Sequence, residues 1–598
     1  MAEQKPAAQA SLVPDWMRPS VKTKIAYAIP YLPLSIIMAV MMIELQIYYT
    51  DTLLVPAGLL ALIIAISRAW DAINDPAMGW ISDHTRTRWG RRIPYIVLGI
   101  PLTAVCFWLL FVPPEGFTPL QVCLWGGIIF FFFYLFNTIW AIPYNALGFE
   151  LTPDYNDRTS LFGYRVFVSA FGFIFAFGLL FYLKYADIFE GDERKMLSLV
   201  TGVGALLMVI FFAVPVLTIK ENPIFLQFKR SPIVPGIRRA LRNGPFRLLF
   251  WVMILGTIPI TLPILIMPYF VKYVVAAPSQ YRLLYALVYV ISGFVAIPVW
   301  MYIGKRWGKV HVWMIAVAMG IIASLAMFFV GKGELYLMGG LELFRGFGST
   351  ASQVLIPAMI ADIIDYDEFN TGKRREAQFG AFLGLLPKFV VIISGALPLA
   401  VLGIVGYDPA AGGINDNTHF AIRILYAILP FAFHGVCLVL LFFYPLSAEV
   451  HASIREGVEL HKKGQIAKDP LTGQMKMPID AQAVPEDTGW FLDYFSPREL
   501  KNVVAKGVGG LVGKVYMSVL ASAAVVVACG IGIFYILIGA MTASQADQAR
   551  QAVASGLVFC CGLAIAVTIY HCLRIGTAKK MTANPIDKAM IQTHIDQI

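Results

Sequence analysis

An all-α polytopic membrane protein is the fold class this sequence predicts, and three observations carry it. Hydrophobic residues make up 58% of the 598 and charged residues only 14%, with a mean hydropathy of +0.70. A soluble chain carries about 25% charged residues, so this one cannot cover a water-facing surface. Runs of about 20 apolar residues recur, the length a hydrocarbon core ~30 Å thick demands of a helix. Continuous runs such as Trp125–Phe136 do not alternate as β-barrel strands must. The lysines and arginines gather in alternate short loops, which accounts for the net charge of +10 without nucleic acid. A soluble enzyme and a disordered scaffold are excluded.

In chain order, residues 1–20 are a polar tail with no cleavable signal, so the first span is expected to act as an uncleaved one. Roughly fourteen spans follow by the ~20-residue criterion. Six form a first half, 21–219, near 24–49, 55–82, 92–112, 119–150, 160–184 and 195–219. A basic cytoplasmic linker, 220–245, leads to a second half, 246–445, with spans near 246–274, 280–303, 310–331, 335–364, 376–406 and 420–445. Residues 446–511 are a polar cytoplasmic segment with a helix-like stretch, Glu449–Lys463. Two further spans, 512–539 and 552–573, make up the segment 512–573, and 574–598 is a cytoplasmic tail.

The loops orient the chain. Arg86, Arg88, Arg91 and Arg92, the 220–245 linker, Lys305, Arg306 and Lys309, and Lys373, Arg374 and Arg375 all fall on one side if every span crosses. That side is the cytoplasm, and both termini share it. An inner (cytoplasmic) membrane location is expected. The halves echo each other: Arg88-Trp89-Gly90-Arg91 follows the second span and Arg306-Trp307-Gly308-Lys309 the eighth. Transporters are often built from such repeats. The seven cysteines show no zinc or redox spacing, and no P-loop, nucleophile elbow or metal cluster marks an enzyme or an ATP-driven pump.

Ionisable residues inside a membrane cost about 2.5–3.5 kcal/mol each on insertion scales, so those present need a reason. Asp71 and Asp75 lie four residues apart on one face of the second span, where two carboxylates repel unless a cation or proton joins them. They are the candidate cation and metal ligands, with an ion pair to Arg68 as the plainer explanation of one of them. Asn137, Thr138 and Asn145 lie in the fourth span, where helix-to-helix bonding is the commoner role. Arg165 and Lys388 sit in apolar surroundings and suit an anionic or hydroxyl-rich substrate or a pairing with Asp71 and Asp75. Asp362 and Asp365 end the tenth span, solvated or paired with Lys373, Arg374 and Arg375, as part of a gate. Pro259, Pro263 and Pro268 are expected to interrupt the seventh span, and Gly509 and Gly513 permit close helix packing.

Two blocks carry a family resemblance. Trp70-Asp71-Ala72-Ile73-Asn74-Asp75-Pro76, Gly79-Trp80-Ile81-Ser82-Asp83 and Arg88-Trp89-Gly90-Arg91-Arg92-Ile93-Pro94 form the first. Ala361-Asp362-Ile363-Ile364-Asp365-Tyr366, Gly372-Lys373-Arg374 and Lys388 form the second. Over about 20–445 the chain resembles the glycoside–pentoside–hexuronide:cation symporters, a branch of the major facilitator superfamily that includes melibiose permease and the vertebrate lysophospholipid carriers. The resemblance implies two six-helix bundles, to which this chain adds two C-terminal transmembrane helices, and alternating access to a central cavity. It implies that Asp71, Asp75 and Thr138 hold the coupling cation, that Lys388 links cation to substrate, and that Arg165 is the fifth-helix arginine. Asp83 to Arg92 resembles the superfamily's cytoplasmic gate, with Asp83, Arg88, Arg91 and Arg92 as its charged members. Where melibiose-type carriers grip sugar hydroxyls with aspartates in helices one and four, this chain has Ser35 and Ala141, and Asn145 replaces a nearby tryptophan.

These readings combine into a secondary symporter coupled to Na⁺ or H⁺, with no cofactor, carrying a sugar, glycoside or related polar solute. Tyr31, Ser35, Tyr144, Asn145, Arg165 and Lys388 are the candidate substrate-binding residues. A lysophospholipid or other amphipathic anion is the first alternative substrate, and a non-transporting sensor or assembly protein the second alternative function. The expected partners are membrane lipid and a small-molecule or lysolipid substrate. Residues 446–598 lie outside the family pattern and are a candidate contact for a protein partner.

Overall fold

The structure is a computed structural model that describes residues 18–152, 155–221, 240–372, 379, 390, 394–408, 414–478, 492, 494–542, 548–583 and 588–596. Lys373, Arg374, Arg375 and Lys388, and most of the 220–245 linker, lie outside them.

Among the described residues, 11 helices are long and apolar enough to cross a membrane. In chain order the helices are α1 (Val21–Thr52), α2 (Ala57–His84), α3 (Ile93–Phe111), α4 (Pro119–Glu150), α5 (Tyr155–Tyr185) and α6 (Glu193–Thr218). The second half holds α7 (Gly244–Val274), α8 (Gln280–Trp307), α9 (Lys309–Phe328), α10 (Leu335–Thr371), α11 (Ser394–Ile404) and α12 (Asp416–Phe442). The C-terminal part adds α13 (Ala448–Lys462), a hairpin of β1 (Ala467–Lys468) and β2 (Met475–Lys476), then α14 (Pro497–Lys506), α15 (Gly509–Thr542), α16 (Gln548–Ala583) and α17 (Lys588–Asp596). At 1.5 Å per residue, α2 with 28 residues and α16 with 36 have the length to cross as well.

Helix starts are fixed by side chains that accept the orphan N–H groups of the first turn. Ser20, Asp192, Asn243 and Asn415 cap α1, α6, α7 and α12. Thr118 and Gln121 form a reciprocal capping box on α4. The three prolines of α7 do not break it: the helix runs unbroken from Gly244 to Tyr269. Neighbouring helices that bury Pro259, Pro263 and Pro268 make this tolerable in a membrane.

The internal echo is deeper than the sequence motif. Within the first half α3 packs on α4 and α6, and α1 on α6; within the second, α9 packs on α10 and α12, and α7 on α12. Both Arg-Trp-Gly turns place their glycine in the left-handed region, Gly90 at φ 105° and Gly308 at φ 82°, which a side chain would strain. The C-terminal ends of α1 and α7 share one hydrogen-bond pattern. Tyr48–Thr52 and Phe270–Val274 are each a π-turn. Leu53 and Val55 donate to the carbonyls of Tyr48 and Tyr49, as Val275 and Ala277 do to those of Phe270 and Val271. Leu54 and Ala276 then both take φ 55°, and Pro56 and Pro278 follow.

The chain divides into two compact units, and they are not quite the two halves of the sequence. The first comprises Met1–Val55, Trp70–Lys229 and Ser279–Leu287; the second comprises Pro56–Ala69, Arg230–Pro278 and Val288–Ile598. The second unit has an apolar core around Phe246, Trp300, Trp313, Leu355 and Ile363. Its C-terminal part has a separate core around Phe495, Leu500, Val515 and Met581. There α15 packs along α16, and Gly509 and Gly513 have open space beside them rather than a closely packed helix.

Candidate cation and substrate site

The first unit brings three oxygen-bearing side chains together. Asp71 and Asp75 follow one another by one turn of α2 and are 6% and 7% exposed. Thr138 of α4, buried, reaches both: its hydroxyl donates to Asp71 Oδ1 at 2.8 Å and lies 3.2 Å from Asp75 Oδ1. The i, i+4 spacing on α2 makes this geometry possible, because both carboxylates leave the same helix face. Trp70, beside the pair, stacks on Phe131 of α4 with centroids 4.9 Å apart, which helps fix the register of α2 on α4. A hydroxyl has one proton, so it donates to one carboxylate and meets the other through its lone pairs unless a cation or a proton joins the group. Hard cations take oxygen ligands, and these residue types are the ones they use.

A second cluster lies on α1, α4 and α5. The Arg165 guanidinium stands 4.4 Å above the centre of the Tyr31 ring and donates to Asn145 Oδ1 at 2.9 Å. Tyr31 also points its hydroxyl at Asn145 Oδ1, 3.5 Å away. Tyr144 stacks on Tyr27 at 4.8 Å and donates to the Tyr27 carbonyl. Four of the six expected substrate residues, Tyr31, Tyr144, Asn145 and Arg165, therefore form one contiguous polar and aromatic group. Ser35 differs. It is 1% exposed, and its hydroxyl bonds the carbonyls of Tyr31 at 2.8 Å and Ser169 at 2.9 Å, against a close approach of Gly172. It ties α1 to α5. Lys388 lies outside the described residues.

The loop after α2 is built around Arg92, which is fully buried. Its guanidinium meets Asp83 at 2.5 Å and Glu150 at 2.8 Å, and Arg91 meets the same Glu150 oxygen at 2.8 Å. Burial alone would push the Arg92 guanidinium down, but Glu150 and Asp83 outweigh it and hold the group firmly charged. Glu221 accepts the backbone N–H groups of Arg91, Arg92 and Ile93 at 2.8, 2.7 and 2.9 Å, sealing the start of α3 where the helix dipole favours an anion. Arg88 stays exposed.

At the end of α10, Asp362 pairs with Lys309 at 2.7 Å and Asp365 with His451 of α13 at 2.9 Å. The partners seen among the described residues are thus Lys309 and His451, whereas the sequence suggests Lys373 to Arg375. The hairpin adds to this end of α10: Tyr366 donates to Asp469 at 3.3 Å, and Phe369 stacks on His461 at 4.7 Å.

Sequence reasoning passed over two buried charge groups. Glu342 and Arg345 of α10 pair at 2.6 Å, and Tyr426 donates to the other Glu342 oxygen. Arg345, with Thr257, Tyr289, Ser349 and His434, lines a cavity of about 50 Å³ inside the second unit. An acid and a base three residues apart in an apolar span was the available signal. The other group is Glu44, Lys184, Glu193 and Arg282.

A family model described as MFS/sugar transport protein matches residues 26–448, well over half of the chain. The chain belongs to this family. The transporter is 28% identical over 426 residues to the inner membrane symporter YicJ of Escherichia coli, covering 69% of the transporter and 88% of YicJ. It is 27% identical to an isoprimeverose transporter of Lactiplantibacillus pentosus, covering 67% and 83% of the two chains. It is 22% identical to a sodium-dependent lysophosphatidylcholine symporter of Danio rerio, covering 76% and 91%. A solved D-xylose-proton symporter superposes with a TM-score of 0.51 at 15% identity, over 71% of this chain and 98% of that one, which shows the major facilitator fold. The transporter is accordingly a multi-pass membrane protein that moves a small-molecule substrate through a lipid environment, and not an enzyme. The α13–α17 region lies beyond the matched residues.

Proposed function

We propose that the transporter is a cation-coupled symporter of a sugar, glycoside or related polar solute in the inner membrane, with both termini in the cytoplasm. The observation that carries this is the convergence of Asp71, Asp75 and Thr138. A Na⁺ or a proton entering that group offsets one of the two negative charges and so relieves the repulsion between the carboxylates. With that repulsion relieved, Arg165 engages the solute beside Tyr31, Tyr144 and Asn145, and Lys388 is assigned to coupling by the family resemblance alone. Occupancy of both sites permits the bundles to rock. Asp83, Arg91 and Arg92 hold the cytoplasmic loop of the first half, with Asp362 and Asp365 at the matching end of α10. A relative named for a sugar and another named as sodium-dependent support the reading.

The test is uptake of glycosides and uronates into proteoliposomes under an imposed Na⁺ or proton gradient. The expected result is accumulation with one ion gradient and its loss in Asp71→Asn with the protein still folded. Coupled uptake retained in that variant overturns the assignment.

One observation favours a second substrate class, a lysophospholipid. The first-helix position that would carry a sugar-gripping carboxylate is Ser35, whose hydroxyl is committed to backbone carbonyls, while Arg165 supplies a cation suited to a headgroup phosphate. Uptake of lysophosphatidylcholine with no glycoside uptake decides for it.

A further inference from the structure

The second unit encloses a small polar centre among apolar helices. Glu342 and Arg345 pair at 2.6 Å one turn apart on α10, and Tyr426 of α12 donates to the other carboxylate oxygen. Both members of the pair are buried. The guanidinium carbon of Arg345 lies 5.2 Å from the centre of the Tyr289 ring and 5.3 Å from that of Tyr426. Beside Arg345 is the cavity of about 50 Å³, with walls from α7, α8, α9, α10 and α12, all of them residues of this one unit.

Two of the side chains on that wall carry a buried nitrogen with no hydrogen-bond partner among the described residues, Nε of Arg345 and Nδ1 of His434. The neighbouring hydroxyls are already donating. Thr257 donates to the Met253 carbonyl at 2.7 Å, Ser349 to that of Gly346 at 2.9 Å and Ser352 to that of Ser349 at 2.9 Å. Each keeps lone pairs that can accept. The wall therefore offers an N–H from Arg345 and several acceptors. Space is also kept for His434: a Cβ on Gly320 would stand 2.5 Å from its Nε2, so the glycine is what lets the imidazole lie against α9.

The charge balance decides what fits. Glu342 already offsets Arg345, so an anion in the cavity would be a net charge within a span, and a cation would face a guanidinium. A neutral molecule that both donates and accepts is required, and the volume limits it to a few atoms. One water needs about 10–15 Å³ of such space, so about 50 Å³ holds roughly three or four. We propose that the cavity is a hydration site in which bound water bridges Arg345 Nε and His434 Nδ1 and so ties α10 to α12. An unmet polar atom on a buried charged group destabilises the fold, and water within hydrogen-bond reach removes that penalty. Such water sits wholly within the second unit, whatever solute is carried and whichever ion drives transport.

The test is radiolytic labelling of the full chain in lipid nanodiscs, in which radicals made from bound water mark the side chains that touch it. Met253 and Trp313, each 4% exposed, line the cavity, whereas Met359 and Trp300, 1% and 2% exposed, do not. Met253 and Trp313 are expected to be modified several-fold faster than Met359 and Trp300. Equal rates overturn the hydration site, and that comparison is made within the parent chain and needs no variant. A Cβ on Gly256 would meet Cys437 Sγ at an ordinary 3.6 Å, so Gly256→Val takes up cavity space without a backbone clash. There the excess labelling is expected to disappear while the melting temperature stays within a few degrees of the parent. Excess labelling retained in that folded variant overturns the assignment to this cavity. A melting temperature that depends on which anion is present, in the parent and not in Gly256→Val, overturns water in favour of an ion.

Discussion

The Thr138 hydroxyl lies 2.8 Å from an oxygen of Asp71 and, through the same atom, 3.2 Å from an oxygen of Asp75. One side chain of α4 thereby serves a pair on α2. Thr138→Val removes the oxygen while keeping the shape. A hydrogen bond to a charged group is worth about 1.5–3 kcal/mol, so the apparent affinity for the coupling ion is expected to fall by roughly tenfold to a hundredfold. Ion titration of uptake checks this. Thr138→Ser, which keeps the hydroxyl, is expected to stay within a few-fold of the parent.

Glu150→Gln tests the loop after α2. It leaves Arg92, fully buried, with Asp83 as its remaining acid, and removes the negative charge shared with Arg91. Breaking a buried ion pair from one side costs about 3–5 kcal/mol. A clear drop in melting temperature in detergent is the expected outcome; a change within error would show that the pairs do not hold the loop.

Gly346→Ala addresses the packing of α10 on α8. A Cβ there would press on the Tyr289 carbonyl oxygen and stand 2.9 Å from the Tyr289 Cα, and backbone cannot step aside as a side-chain tip can. The variant is expected to be lost during purification or to melt well below the parent. The same change at Gly340, which has open space beside it, is expected to be silent in both measurements.

The hairpin after α13 carries a pH dependence. Burial alone would raise the Asp469 carboxyl, but hydrogen bonds from Lys476 and the Leu471 backbone hold it below its ordinary value of 3.8. A carboxyl depressed in the folded state stabilises the hairpin fully above its unfolded value, and that contribution is lost as pH falls through the folded value. Hydrogen exchange at the Gly473 and Leu471 amides, bonded to Asp469, is expected to stay slow at pH 6 after correction for intrinsic rates. Protection should drop below about pH 3.8. Asp469→Asn should remove the transition.

Much of this was legible in the sequence because membranes punish charge. Asp71 and Asp75 stand out by their cost and their i, i+4 spacing, and the Arg-Trp-Gly echo pointed to an internal repeat. Thr138 was not legible from the residues alone, since a threonine in an apolar helix commonly bonds helix to helix; only the resemblance singled it out. Ser35 shows something else that one helix does not reveal: its hydroxyl bonds carbonyls of α1 and α5 and so joins two helices. Glu44, Glu342 and Arg345 carried the same signal as the aspartates and were passed over. Which charges meet is a matter of how helices from distant parts of the chain pack, and periodicity along one helix does not contain it. The capture of Arg282 by α1 and α6, 238 residues from Glu44, is the plainest instance.

The matched C-terminal ends of α1 and α7 give the molecule its own controls. A π-turn accommodates one extra residue in a helix, and both halves carry it at the same place, each followed two residues later by a non-glycine residue at φ 55°. Leu54→Gly and Ala276→Gly are therefore the same experiment performed twice in one chain, on a backbone strained alike and in neighbourhoods that differ. Whatever the two variants do in common reports on the turn, and whatever separates them reports on the division of labour between the halves.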